Sequence, residues 1–326
     1  MNYFDNEMRA GSSAEATIEL LPSEHGVLKD YVLMMKDFFT LRGVPISETT
    51  CNQETGEFVL EFVTPETSQA YDEICHGGFS TTVLDAIARL AILKEGLRNS
   101  RDDSKYQSST KYMRKVSVGA KIRVVGKVDS SEGVGSRATA YVVDVSKPTK
   151  VLAKYTLDLN DEEGVAEGLA VENNNEEGDG KSLLDVSKES QMLEHYLLAS
   201  QKFYQSNDIP ITEAVWNQEK KEITFELVAS HLNCVNGVLE DGVIATLLDT
   251  LAGLPVFLES TQKGRIALSD ELSIVSLGQI KEGSTLKIVG KIDTLDENKS
   301  KSSAWIVDTS NPTQALVKAS LTMKIV

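Results

Sequence analysis

The sequence predicts an α+β protein made of two copies of one domain, each a long apolar helix wrapped by an antiparallel sheet. Three observations carry that expectation. Residues recur at a fixed offset of 164: His76-Gly77-Gly78 with Asp85 downstream return as Glu240-Asp241-Gly242 with Asp249, and the same offset separates Gly126 from Gly290 and Pro148 from Pro312. Within each copy an apolar helical stretch stands between strand-like stretches, and each needs the other to cover its apolar face. Between the copies lies a run dense in Asp, Glu, Asn and Gly that has too little to bury to offset its ordering entropy. A period this long argues duplication rather than a solenoid, whose repeats are much shorter.

Each element follows from its own pattern. An amphipathic helix is expected over 26–41 and over 183–204, stopped by Val44-Pro45 and by Ile209-Pro210. Asn52-Gln53-Glu54 matches Asn217-Gln218-Glu219 at an offset of 165, so one residue has been gained or lost before the glycine motif. Alternating apolar and polar positions predict strands at 57–63 and 222–228. The largely apolar helices 79–98 and 243–258 follow, and Pro255 should kink the second near its end. In the first copy, strands are expected at 106–112, 121–129, 138–145 and 151–159. The paired segments Val125–Asp129 with Val289–Asp293, and Tyr141–Asp144 with Trp305–Asp308, carry the same order into the second copy. The resulting domains are an N-terminal extension, 1–25, a first domain, 26–159, an acidic disordered linker, 160–181, and a second domain, 182–326.

Composition excludes several functions. At a net charge of −16, nucleic acid is not an expected partner, because phosphate backbones demand clustered Lys and Arg. Three cysteines, Cys51, Cys75 and Cys234, have no paired spacing, which argues against a disulfide framework or a zinc site, and no metal site is expected. No stretch is read as approaching the roughly 20 apolar residues of a membrane span. The first 20 residues lack both an apolar signal core and Arg-rich transit character, so an intracellular place, cytoplasmic or mitochondrial, is expected.

Asp85 and Asp249 fall in the middle of the two apolar helices, where a carboxylate is expensive to bury unless it is paired or faces a cavity. Either it lies on the one polar stripe, or it is a base or nucleophile in an apolar pocket. Gly77-Gly78 and Gly242 mark the helix starts, where unsatisfied N–H groups at the positive end of the dipole form an anion or oxyanion site. The alternative there is a simple turn, and for Asp241 a helix N-cap.

His-Gly-Gly followed by Asp on an apolar helix resembles the hotdog-fold acyl-CoA thioesterases, in the branch of the phenylacetate-pathway and 4-hydroxybenzoyl-CoA enzymes. The resemblance covers both copies, from about Glu57 to Leu159 and from about Glu222 onward. It implies a tandem hotdog in which the copies pair as a pseudo-dimer within one chain, each active site taking its glycines from one unit and its acid from the other. Crossed this way, one site combines His76, Gly77 and Gly78 with Asp249 and gains Ser269 as a water contact. The resemblance makes Gly77 N–H the oxyanion donor, Asp249 the base or nucleophile, and His76 the orienter. The opposite site combines Glu240, Asp241 and Gly242 with Asp85, has Lys105 where the serine stands, and is expected to be degenerate because Asp241 puts charge where the oxyanion would form. Two positions depart from the family pattern of Asn six residues and Gly three residues before the His: they hold Ala70 and Glu73, whereas the second copy keeps Gly237.

Lys94, Arg98, Arg101, Lys105, Lys111, Arg114 and Lys115 form a basic cluster whose counterparts are neutral except for Arg265. Lys111 and Arg114 are candidates for holding the phosphates of coenzyme A, the alternative being a solvated face. The implied function is hydrolysis of an acyl-CoA, within lipid metabolism, with no cofactor beyond the coenzyme A of the substrate. The alternative is a non-catalytic acyl-CoA-binding or structural hotdog protein, possibly a subunit of a larger assembly. Further association of the fused pairs into homo-oligomers is left open.

Overall fold

The computed structural model describes residues 26–94, 105–130, 136–159 and 180–326. The expected N-terminal extension, nearly all of the expected linker, and Arg98 and Arg101 lie outside them. The first half runs α1 (Gly26–Leu41), β1 (Thr50–Cys51), β2 (Phe58–Val63), β3 (Gln69–Tyr71), β4 (Ile74–Cys75), α2 (Gly77–Lys94), β5 (Tyr106–Tyr112), β6 (Lys121–Ser130), β7 (Ser136–Asp144) and β8 (Val151–Leu159). The second half runs β9 (Lys181–Ser182), α3 (Leu183–Glu189), α4 (Gln191–Ser206), β10 (Val215–Asn217), β11 (Glu222–Val228), β12 (Cys234–Val235), β13 (Val238–Leu239) and α5 (Asp241–Thr261). It ends with β14 (Ala267–Ser276), β15 (Thr285–Leu295), β16 (Lys299–Asp308) and β17 (Ala315–Ile325).

Among the described residues, one continuous sheet has the order β1-β2-β6-β7-β8-β5-β14-β17-β16-β15-β11-β10-β9, antiparallel throughout. The halves are mirrored about β5 and β14, where Ser109 pairs with Ser273, its own counterpart at the 164-residue offset. A pseudo-twofold axis therefore passes between these two serines. Alternation along β2 turns Phe58, Leu60 and Phe62 toward α2, and on β11 Ile223, Phe225 and Leu227 are buried in the same way.

The two long helices cross at their first turns. A Cβ on Gly78 would lie 2.6 Å from the backbone of Thr246, and one on Gly242 would lie 2.3 Å from the side chain of Thr82, so glycine is required where the helices touch. Thr82 Oγ1 ties the crossing by donating toward the carbonyls of Gly78 (2.8 Å) and Gly242 (2.9 Å). The repeated Val-Gly-Lys of β6 and β15 has a similar cause. Gly126 lies against the Ile87 carbonyl and Gly290 against the Leu251 carbonyl, where a Cβ would fall 1.8 Å from the oxygen. Leu251 is the residue whose carbonyl Pro255 leaves without a helical donor.

The structure corrects several expected boundaries. The helix expected over 183–204 is two helices, broken at Ser190, whose extended backbone (φ −133°, ψ 101°) starts α4 while its hydroxyl accepts from Leu193 N. The helix expected over 79–98 starts at Gly77, which places both glycines in its first turn, and the one expected over 243–258 runs from Asp241 through Pro255 to Thr261. The second half's sheet begins at Lys181, inside the expected linker, because β9 pairs with β10. By length and composition α5 is apolar enough to cross a membrane, contrary to the sequence reading, yet 94% of its apolar window is buried because the sheet wraps it.

Candidate active site

Asp249 sits on the third turn of α5 and is buried, so it is not on a polar stripe. It faces the start of α2 from the other half. Its Oδ2 accepts from Gly78 N (3.2 Å) and lies 3.4 Å from His76 Nδ1, and its Oδ1 accepts from Ser269 Oγ of β14 (3.0 Å). Burial raises the carboxyl to about 6, against the opposing effect of the Ser269 and Gly78 hydrogen bonds.

His76 precedes the helix, and its Nδ1 accepts from Gly78 N (3.0 Å), leaving Nε2–H to reach Thr250 Oγ1 at 3.3 Å. Its ring stacks on Phe203 of α4 at 4.3 Å between centroids. Burial pushes the imidazole down to about 3, so His76 is neutral and holds geometry rather than charge. Gly77 opens α2, and its N–H has no hydrogen-bond partner among the described residues. A Cβ there would fall 2.9 Å from Asp249 Oδ2 and 3.2 Å from the Tyr112 hydroxyl, so glycine keeps this space clear.

These groups open on a cavity of about 290 Å³. It is lined by His76, Gly77, Asp249 and Ser269, with a mostly apolar wall that includes Tyr196, Leu254 and Phe257. Arg114, Lys115 and Lys324 are at its rim, and Lys324 is paired with Asp270. The basic cluster therefore borders this cavity in part. Lys111, a substrate-binding candidate, is off the lining: it is exposed and sits opposite Glu271 across the β5–β14 pair. Gly78, the other such candidate, is buried behind Gly77 and supports Asp249 rather than lining the cavity.

The opposite arrangement is built differently. Asp85 is buried, accepting from Arg89 Nε (2.8 Å) and Tyr155 Oη (2.5 Å). Arg89 also reaches Asp241 Oδ2 (2.7 Å), whose other oxygen accepts from Tyr106 Oη (3.0 Å). Burial opposes the Arg89 charge, but Asp241 and Asp85 outweigh it and hold the guanidinium charged. Asp241 is thus not the N-cap. That role falls to Glu240, whose side chain accepts from Gly242 N at 2.6 Å. The sequence leads one to expect Asp241 to repel an oxyanion; in the structure it instead holds Arg89. Lys105, expected in the serine's place, is exposed.

Sequence reasoning missed Arg89, Thr250, Tyr112 and the α4 residues Tyr196 and Phe203. Arg89 was legible, as a cation four residues after Asp85 on an apolar helix where the other copy has Gly253. The α4 pair carried no signal, because Phe203 reaches His76 and Tyr196 reaches Phe257 only through the fold. Ala70 lines the cavity, and Glu73 stands in a hairpin turn at φ 59°, where the second half has Gly237 at φ 73°.

Two sheets joined edge to edge, each wrapping one long helix, match known structures along nearly the whole chain. A TesB protein from Mycobacterium avium subsp. paratuberculosis is similar with a TM-score of 0.57 at 8% identity, over 90% of this chain and 99% of that one. The chain is a tandem hotdog. The hotdog is shared with the dehydratase domain of PpsC from Mycobacterium tuberculosis, in complex with C12:1-CoA (TM-score 0.55, 12% identity, 85% and 97% covered). It is also shared with the 12:0-ACP thioesterase from Umbellularia californica (0.52, 10%, 83% and 95%). Neither protein-family models nor curated protein sequences match the chain.

Proposed function

We propose that this tandem hotdog hydrolyses an acyl-CoA to a carboxylic acid and free coenzyme A at one composite site. The observation that carries the reading is Asp249: a buried carboxyl, raised to about 6, facing a cavity beside the free N–H of Gly77 from the other half. Such a group is ionised near neutral pH yet basic enough to draw a proton from water, and Ser269 is placed to hold that water. Hydroxide adds to the thioester carbonyl while Gly77 N–H, at the positive end of α2, stabilises the oxyanion. Collapse breaks the C–S bond, and the departing thiolate takes up the proton held by Asp249. His76, neutral, fixes the first turn of α2 from which both amides project. The cationic rim on a chain of net charge −16 suits a compact anion such as the phosphates of coenzyme A.

The test is thiol release from short, aromatic and long acyl-CoAs. Asp249→Asn should lose at least about a hundredfold in kcat/KM, while Asp85→Asn should keep its turnover at a temperature where both are folded. Equal loss in the two variants rejects a single site. The cavity wall at Ala70, where related enzymes commonly place Asn, favours a second reading, an acyl-CoA-binding protein without turnover. Binding without release from any substrate would establish that reading.

A further inference from the structure

Asp249, Gly253 and Phe257 all line the cavity and stand four residues apart on α5. They share one face of the helix, and at the α-helical rise Phe257 lies about 12 Å beyond the acid along the axis. Between them Gly253 offers no side chain. A Cβ built there would touch Leu321 and Met323 at 3.6 Å, an ordinary contact distance, and Gly253 and Leu254 carry the cavity wall for a turn past Asp249.

Phe257 is the lining residue of α5 furthest from Asp249. Its ring is 4.8 Å from that of Tyr196 on α4, which also lines the cavity and is anchored by a 2.8 Å contact between the Tyr196 and Tyr204 hydroxyls. The other half shows the same path filled. Arg89, the counterpart of Gly253, spans Asp85 and Asp241, the counterparts of Asp249 and Gly77. One half thus keeps a lane along its helix where the other stores a guanidinium.

We infer that the acyl group lies along this face of α5, with its carbonyl at Asp249 and Gly77 and its chain over Gly253, and that Phe257 with Tyr196 is the stop that sets the longest acyl group accepted. The inference rests on the hydrolase reading for its assay and names the substrate class: uncharged acyl groups of medium length or with a single ring.

Wild type, Phe257→Ala, Phe257→Leu and Gly253→Ala would be compared on butyryl-, octanoyl- and palmitoyl-CoA. Phe257→Ala should raise the palmitoyl-to-octanoyl ratio of kcat/KM by about tenfold or more, and Phe257→Leu should raise it by less. Gly253→Ala should lower the octanoyl-to-butyryl ratio. Phe257→Leu keeps most of the buried volume, so the test stands even if Phe257→Ala fails to fold. Ratios for folded Phe257 variants within about twofold of wild type overturn the inference. Should wild type hydrolyse neither these three nor benzoyl-CoA, the hydrolase reading alone falls. The lane is then read from the Kd values of matching non-hydrolysable thioether analogues: the same shift in length preference supports it, and an unshifted preference overturns it.

Discussion

Asp249 illustrates at the residue scale how a reactive group is kept at the expense of stability. Its carboxyl is raised from 3.8 to about 6 in the folded protein, so the native state holds the proton more tightly than the unfolded chain. Stability from this group is fully present below pH 3.8 and is lost as pH rises to about 6, a difference of about 3 kcal/mol that persists above it. Asp249→Asn, inactive, should therefore have a higher Tm than wild type at pH 8, the gap closing toward pH 4, as calorimetry at the two pH values would check. In wild type, log kcat/KM should rise with unit slope up to about pH 6 and then level, with no second limb from His76, which stays neutral there. At Glu73 the left-handed backbone that glycine adopts in the other half is held by a residue with a Cβ. Glu73→Gly should stabilise by about 1 kcal/mol, read from the denaturant midpoint.

At the scale of elements, α2 and α5 have the same place in the fold and opposite contents. α5 turns Asp249 toward the cavity, whereas α2 carries an acid bound to a cation one turn on and, through it, to the first residue of α5. Removing that cation takes away the guanidinium that Asp85 and Asp241 share, the first of them deeply buried. Arg89→Ala should cost about 3–5 kcal/mol, visible in a urea titration, without opening a second working site, because Asp241 would still stand where the first site has Gly77. The helix-to-sheet contacts differ in the same graded way. Gly290→Ala drives a methyl into the Leu251 carbonyl, and Gly126→Ala meets the Ile87 side chain and carbonyl at 2.7 and 2.9 Å. The first substitution should lower Tm much further than the second.

For the whole molecule, the site exists only because the halves share a sheet and cross their helices. His76 and the glycines come from residues before the 160–179 segment, and Asp249 and Ser269 from residues after it. They meet across the β5–β14 pair, the α2–α5 crossing and the buried Arg42, which donates to Asn207 Oδ1 (2.8 Å) and Asn233 Oδ1 (2.9 Å) of the other half. Cutting the chain at a protease site engineered into 160–179 should therefore leave thiol-release activity intact and both fragments eluting together. Loss of activity on cleavage would mean that the covalent link, not this packing, holds the site.

The sequence by itself determined the duplication and the order of elements, because these are carried by residue spacing, by alternation and by the 3.6-residue period; the crossed pairing of motifs was implied only by the family resemblance. The sequence also placed Gly77 at a helix start and showed that Asp249 needs a reason to be buried. The tertiary structure alone decided that Arg89 fills one site, that Lys111 stays off the lining of the other, and that α4 supplies Tyr196 to the cavity wall and Phe203 to the face of His76. Each of these depends on which side chains from distant elements share one small volume, a quantity that no local pattern encodes.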